Sequence, residues 1–242
     1  MFRNLPPVTK NLLIINVLIF AVAALIPQIG FNLDRYCALY YIESPGFRFW
    51  QPLTYMFLHG NFTHLFFNMF ALLMFGGIIE WTLGSRRFLV YYLSCGIGAA
   101  FIQWGVYALM LAKYHNMYTS GEFYQIVDSG WSLMQSGRIF MDPTLAKITM
   151  LVNAPTVGAS GAIYGVLLAF GMLYPNRELF IMFIPVPIKA KWMVLGYAII
   201  ELSLGLGGSG DGVAHFCHLG GMIFGFMLLW YWKKKGTFSG WY

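Results

Sequence analysis

Of the chain's 242 residues, 59% are hydrophobic and only 10% charged, and the mean hydropathy is +0.65. Soluble domains usually carry about a quarter charged residues, so this composition excludes an ordinary water-soluble globule. The formal net charge of +6 needs no nucleic-acid partner, because the distribution of basic residues among the loops accounts for it.

A spanning helix needs about 20 mostly apolar residues, and six runs approach that length. The first is 11–27. It follows Arg3 and Lys10, but no small-residue cleavage site ends it, so a retained span is expected and not a cleaved signal. An outer segment, 28–50, leads to the second run, 62–83, which holds His64 and Asn68. The third run is 88–112. A long outer segment, 113–156, follows, and within it 122–134 fits an interfacial helix with Phe123, Val127, Trp131 and Met134 on one side. The fourth run, 157–174, is short and opens with small and polar residues. Residues 179–188 read as an interfacial loop, interrupted by Pro185 and Pro187. The fifth run, 192–206, carries Glu201. A glycine-rich outer turn, 205–212, precedes the sixth, 214–232, which holds His215 and His218. The expected fold is all-α: a polytopic membrane bundle of six transmembrane helices in one domain, with no internal repeat.

Loop charges orient that bundle. With six spans both termini share a side, and that side holds 10 of the 15 Lys and Arg residues, including Arg86, Arg87 and the run Lys233, Lys234 and Lys235. The opposite side holds Arg35, Arg48, Lys113, Arg138 and Lys147, together with most loop acids. Basic loops stay cytoplasmic, so both termini are expected in the cytoplasm, and a bacterial inner membrane is the expected location. The C-terminal lysine run suits anionic membrane lipids as partners. Cys95 and Cys217 fall inside spans and Cys37 alone lies on the outer side, which argues against an internal disulfide.

Polar residues inside spans are expensive and usually functional. Here they gather at one depth. The second run enters from the outer side with His59, Asn61, His64 and Asn68, the fourth with Gly158 and Ser160, and the sixth with His215 and His218. Ser160 near a helix start has free N–H groups and a positive helix end beside it, which suits a nucleophile with an oxyanion site; a small-residue helix contact is the plainer alternative. His218 shares a helix face with Gly221 and Gly225, a GxxxG pattern that admits a close partner helix, so it is the candidate base; a packed histidine is the alternative and His215 the rival base. His64 and Asn68 are spaced i, i+4 and suit either hydrogen-bond donation to developing negative charge or a buried polar bridge. No carboxylate is near His218 in sequence. Asp211 reads as solvated and Glu80 as too deep; Glu201, the one candidate at a plausible depth, reads as a structural hydrogen-bonding residue, so a Ser–His dyad is favoured over a triad.

Three segments carry a specific resemblance. Gly158-Ala159-Ser160-Gly161 resembles the GxSG nucleophile motif of the rhomboid family of intramembrane serine proteases. His215-Phe216-Cys217-His218-Leu219-Gly220-Gly221 resembles its catalytic-histidine motif, and His59 with His64 and Asn68 its HxxxxHxxxN segment. The resemblance runs over about 49–232, with 113–156 standing outside it as an insertion. It implies Ser160 as nucleophile, His218 as base, His64, Asn68 and the Ser160 N–H as oxyanion donors, and Tyr164 as the aromatic beneath the histidine. Gly76-Gly77-Ile78-Ile79-Glu80 is similar to a structural element of the family. It further implies transmembrane proteins as substrates, cleaved near the outer leaflet, and no cofactor. Trp50-Gln51 stands where relatives often carry Trp-Arg; that arginine is structural, so the difference bears on loop anchoring. Two other classes remain: a metalloprotease built on His59, His64, His215 and His218, although no HExxH occurs, and a non-catalytic relative that binds membrane clients.

Overall fold

A computed structural model describes residues 5–25, 32–180, 186–207 and 214–236. Helix α1, Pro7–Leu25, begins one turn before the apolar run, with proline at a position that needs no N–H. Its first amides find an acceptor in a distant acid. Val8 N–H and Thr9 N–H donate to the two oxygens of Glu80 at 3.0 and 2.7 Å, and the Thr9 and Ser85 hydroxyls donate to the same carboxylate. A buried anion at a helix start satisfies orphan donors and opposes the helix dipole favourably. Glu80 thus ties together the α1 start and the turn after the second span.

After the short helix α2, Leu33–Cys37, the chain makes α3, Gln51–Thr54, and then α4, Phe62–Leu83, whose middle turn Leu72–Gly76 is π-helical. Asn61 caps α4 by accepting from the His64 N–H at 2.8 Å. Gly84, at φ +79°, ends α4 and lets α5, Ser85–His115, reverse at once. Helix α5 has 31 residues and outruns its apolar segment at both ends. Arg86 and Arg87 join its first turn, while Lys113 and His115 sit in the last turn, where cations suit the dipole.

The segment 113–156 is folded, not an open loop. Thr119 and Glu122 form a capping box for α6, Ser120–Gln135. Asp142 caps α7, Pro143–Asn153, through Thr144 N–H and Leu145 N–H. Phe123 and Val127, expected at a membrane surface, instead pack on Ile148, Leu151 and Val152 of α7 and on Leu111 and Tyr114 of α5. The reason is that α7 offers a second apolar face, so the two amphipathic helices bury each other. Asn153 locks this unit to the first outer segment: its Nδ2 donates to Val127 O and its Oδ1 accepts from the Ser44 hydroxyl, both at 2.8 Å.

Helix α8, Ser160–Leu173, is short and almost wholly buried between α5 and the last helix. A hairpin of β1, Glu178–Phe180, and β2, Pro187–Lys189, pairs Leu179 with Ile188, so an expected interfacial loop is in part a two-stranded ribbon. Pro185 lies outside the described residues. Helix α9, Ala190–Gly207, continues through Gly205; Asp211 and the rest of the expected turn also lie outside the described residues. Helix α10, His215–Lys234, closes the described chain.

Helices α1, α4, α5 and α9 are long and apolar enough to cross a membrane, with α8 as a shorter apolar helix. Leu18, Ile199, Ile223 and Trp230 are exposed on this bundle, as lipid-facing side chains are. The molecule is an all-α polytopic membrane protein in which α5, α8 and α10 form the centre and α9 leans on its edge.

Candidate active site

Ser160 is the first residue of α8, and the segment before it is fixed by backbone bonds. Leu39 and Thr156 exchange N–H to C=O bonds of 2.9 and 2.8 Å, and Gly158 N–H donates to Tyr55 O at 3.0 Å. Gly158 has φ +132°, outside helical space, which is why α8 starts at Ser160 and not at Val157. A Cβ on Gly158 would stand 2.8 Å from Nε2 of His64 and 3.5 Å from Oγ of Ser160. The bare glycine therefore leaves those two polar groups facing one gap. Ala159 offers no side-chain cap to the first N–H groups of α8.

Small residues then bring α10 against α8 and α5. A Cβ on Gly221 would lie 1.8 Å from the Gly161 carbonyl oxygen, and one on Gly225 would lie 2.4 Å from the Tyr91 hydroxyl. At that close crossing His218 Nε2 sits 2.8 Å from Ser160 Oγ. The imidazole stacks on Tyr164, with ring centroids 4.3 Å apart and planes 6° from parallel. Its plane is held by the same helix that carries the serine. A hydroxyl in hydrogen-bond contact with an imidazole can lose its proton to it, which is the chemistry of an activated nucleophile.

Glu201 of α9 is the acid that sequence spacing left away from His218. Its Oε2 is 2.7 Å from Nδ1 of His215 and 2.9 Å from Nδ1 of His218; the latter approach lacks hydrogen-bond alignment. The Tyr164 hydroxyl donates to Oε1. The structural hydrogen-bonding role expected of Glu201 is therefore present, but it falls at the histidine itself. The earlier signal was its depth, since a carboxylate inside an apolar run needs partners at that depth. Glu201, His215 and His218 also place ligand atoms within 4.8 Å of one another, a set different from the four histidines weighed for a metal. Both oxygens of this carboxylate are already engaged by Tyr164 and His215, so the cluster is closed by its own bonds.

A cavity of about 890 Å³ opens over this group, lined by Ser160, His218, His64 and Gln103, with Met150 and Pro155 forming a wall from the folded outer segment. Asn68, one turn below His64, is buried and is not among the described residues lining the cavity. His59 lies behind His64, rings edge to face at 5.1 Å. Burial, with His64 as the second cause, pushes the His59 imidazole down to about 4. At the Trp50-Gln51 position the first outer segment is anchored by other side chains: buried Gln51 accepts from Tyr40 N–H and donates to Gly46 O at 2.8 Å, while Trp50 Nε1 donates to Tyr36 O. Cys37, Cys95 and Cys217 are all free thiols.

The family model of the Rhomboid domain matches residues 46–235, a span that runs through the folded outer segment. The chain is 27% identical to "Rhomboid protein 1, mitochondrial" of Saccharomyces cerevisiae, over 97% of this chain and 58% of that protein. It is 30% identical to "Rhomboid protease AarA" of Providencia stuartii, over 81% of this chain and 60% of the relative. With "Rhomboid protease GluP" of Bacillus subtilis it shares 29% identity, over 73% of this chain and 25% of the relative. The chain thus spans less than two thirds of the length of each of these relatives.

Proposed function

The chain belongs to the rhomboid family, and from that premise we propose that it is an intramembrane serine endopeptidase, with Ser160 as nucleophile and His218 as base. The carrying observation is the 2.8 Å contact between His218 Nε2 and Ser160 Oγ beneath an open cavity. A membrane-embedded substrate helix hides its carbonyls in hydrogen bonds, so it unwinds before it reacts. Ser160 Oγ attacks the exposed carbonyl carbon while its proton passes to His218 Nε2. The carbonyl electron pair becomes an oxyanion, held by the Ser160 N–H and by His64 across the Gly158 gap. The C–N bond breaks and His218 protonates the leaving amine. Water then attacks the acyl ester, its proton goes to His218, and Ser160 Oγ takes a proton back as the new acid departs. Removing one oxyanion donor typically lowers the rate about 100- to 1000-fold.

The site lies at the end of the bundle opposite Glu80 and the basic turn Arg86–Arg87. The positive-inside pattern puts that basic end in the cytoplasm, so cleavage takes place near the outer leaflet, where water can enter. The substrates are transmembrane segments of other proteins. A bacterial cell membrane, with both termini cytoplasmic, fits the two bacterial relatives, and the yeast relative shows that organelle membranes house the family too.

The test is cleavage of a purified model transmembrane substrate by wild type, Ser160→Ala and His218→Ala, with and without a chelator. Activity that survives chelator and is lost in both variants is expected. Loss with chelator would move the chemistry to a metal held by Glu201, His215 and His218. Activity in Ser160→Ala would overturn the nucleophile.

A further inference from the structure

We infer that Glu201 completes a Ser160–His218–Glu201 relay, acting as the positioning residue that sets the tautomer and orientation of the base; this rests on the proposed serine-protease reading. The argument starts from what a carboxylate can do. When ionised it only accepts hydrogen bonds. Three groups converge on it: the Tyr164 hydroxyl on Oε1, and Nδ1 of His215 and of His218 on Oε2 at 2.7 and 2.9 Å. Each can donate. With three donors around it, a buried carboxylate is held in its ionised form.

An ionised Glu201 puts the proton of His218 on Nδ1. Nε2 then carries the lone pair, and Nε2 is the atom 2.8 Å from Ser160 Oγ. The imidazole is held in the tautomer that accepts the serine proton. When it does so, the carboxylate 2.9 Å from Nδ1 offsets the new positive charge. Alignment at Nδ1 is imperfect at rest, and catalytic hydrogen bonds commonly tighten only with substrate bound. Tyr164 works in both roles, stacking on the ring and donating to the acid, so ring plane and acid are fixed by one side chain. His215 holds the other side of Oε2 and keeps the carboxylate from turning away. The acid comes from α9, whose main contacts with the bundle are to α8, α10 and strand β2. The relay is complete only while α9 is docked.

The experiment compares wild type, Glu201→Gln, Glu201→Asp, Glu201→Leu and Ser160→Ala in detergent, reading kcat and KM on a model transmembrane substrate, labelling by a fluorophosphonate, and thermal unfolding. A glutamine presents an N–H to Nδ1 and drives the proton to Nε2, the wrong tautomer; an error of that kind costs a well-studied serine protease about 10⁴-fold, so a kcat loss of at least ~100-fold is expected. KM should change less than about threefold, labelling should slow in parallel with kcat, and Asp should recover part of the rate. The inference is overturned if Glu201→Gln keeps kcat within a few-fold while Ser160→Ala is dead. It is also overturned if kcat follows unfolding temperature across Gln, Asp and Leu, which marks a purely structural acid. An active Ser160→Ala instead sinks the protease reading itself.

Discussion

The Gly161 carbonyl oxygen occupies the space where a Gly221 side chain would begin, with 1.8 Å between that oxygen and an ideal Cβ. The obstacle is backbone, so nothing can rotate aside. Gly221→Ala must push α10 off α8, and forced overpacking costs about 1–3 kcal/mol or more. The same displacement separates His218 from Ser160, and a shift of about 1 Å in a catalytic geometry can lower the rate about 100-fold. Gly196 on α9 meets nothing within 4 Å, so Gly196→Ala is the control and should unfold and cleave as wild type does. Cleavage by Gly221→Ala within twofold of wild type would refute the close-crossing argument.

His64 and Asn68 share a helix face, yet only His64 lines the cavity among the described residues. His64→Ala should therefore lose about 100- to 1000-fold in kcat with little change in unfolding temperature. Asn68→Ala should lose less rate and more stability, roughly 1–3 kcal/mol, as a buried polar group removed from its surroundings. Steady-state kinetics and thermal unfolding on the two variants decide the matter. Equal rate losses would make Asn68 a direct oxyanion donor.

Glu80 accepts from Val8, Thr9 and Ser85 at the end of the bundle remote from Ser160. Glu80→Ala strands those donors, and each buried unsatisfied donor costs about 1–3 kcal/mol. The expected result is a lower unfolding temperature and faster proteolytic nicking near residues 5–10, with kcat of the surviving folded enzyme close to wild type. A stability change below about 0.5 kcal/mol would show that α1 is held by its apolar contacts alone.

His59 carries a pH dependence of stability. It is buried, and burial lowers its pKa from 6.5 to about 4. The unfolded chain therefore binds a proton that the folded chain refuses between about pH 6.5 and 4, and stability falls as pH drops through that window. The full shift corresponds to about 3 kcal/mol below pH 4, an upper figure. Unfolding temperature against pH, in wild type and His59→Gln, measures it. The variant should show a shallower slope in that window, and an unchanged slope would assign it to another group.

Much of this protein was legible in one dimension. Hydrophobic run length marked where the membrane helices lie, because lipid forces each span to close its own backbone bonds and so to show as an apolar stretch. The polar residues of three runs pointed to one depth, and Gly221 and Gly225 marked a close helix contact before any partner was known. Helix α7 had a readable signal in Asp142 and Pro143, cap and first residue, that the length of the outer segment obscured. Glu201 had no such signal beyond its depth. Local sequence fixes depth and face period but not how one helix is rotated toward another, since that depends on packing summed over the whole bundle. The sequence alone therefore placed a serine and a histidine at one depth of a membrane protein. Only the tertiary structure decided which histidine reaches Ser160, that His64 and not Asn68 is among the described residues lining the cavity, and that an acid 17 residues before His218 on another helix comes within 2.9 Å of its Nδ1. Contacts of 2.8 and 2.9 Å arise from helix crossings, and a crossing is a property of pairs of helices that no single segment encodes.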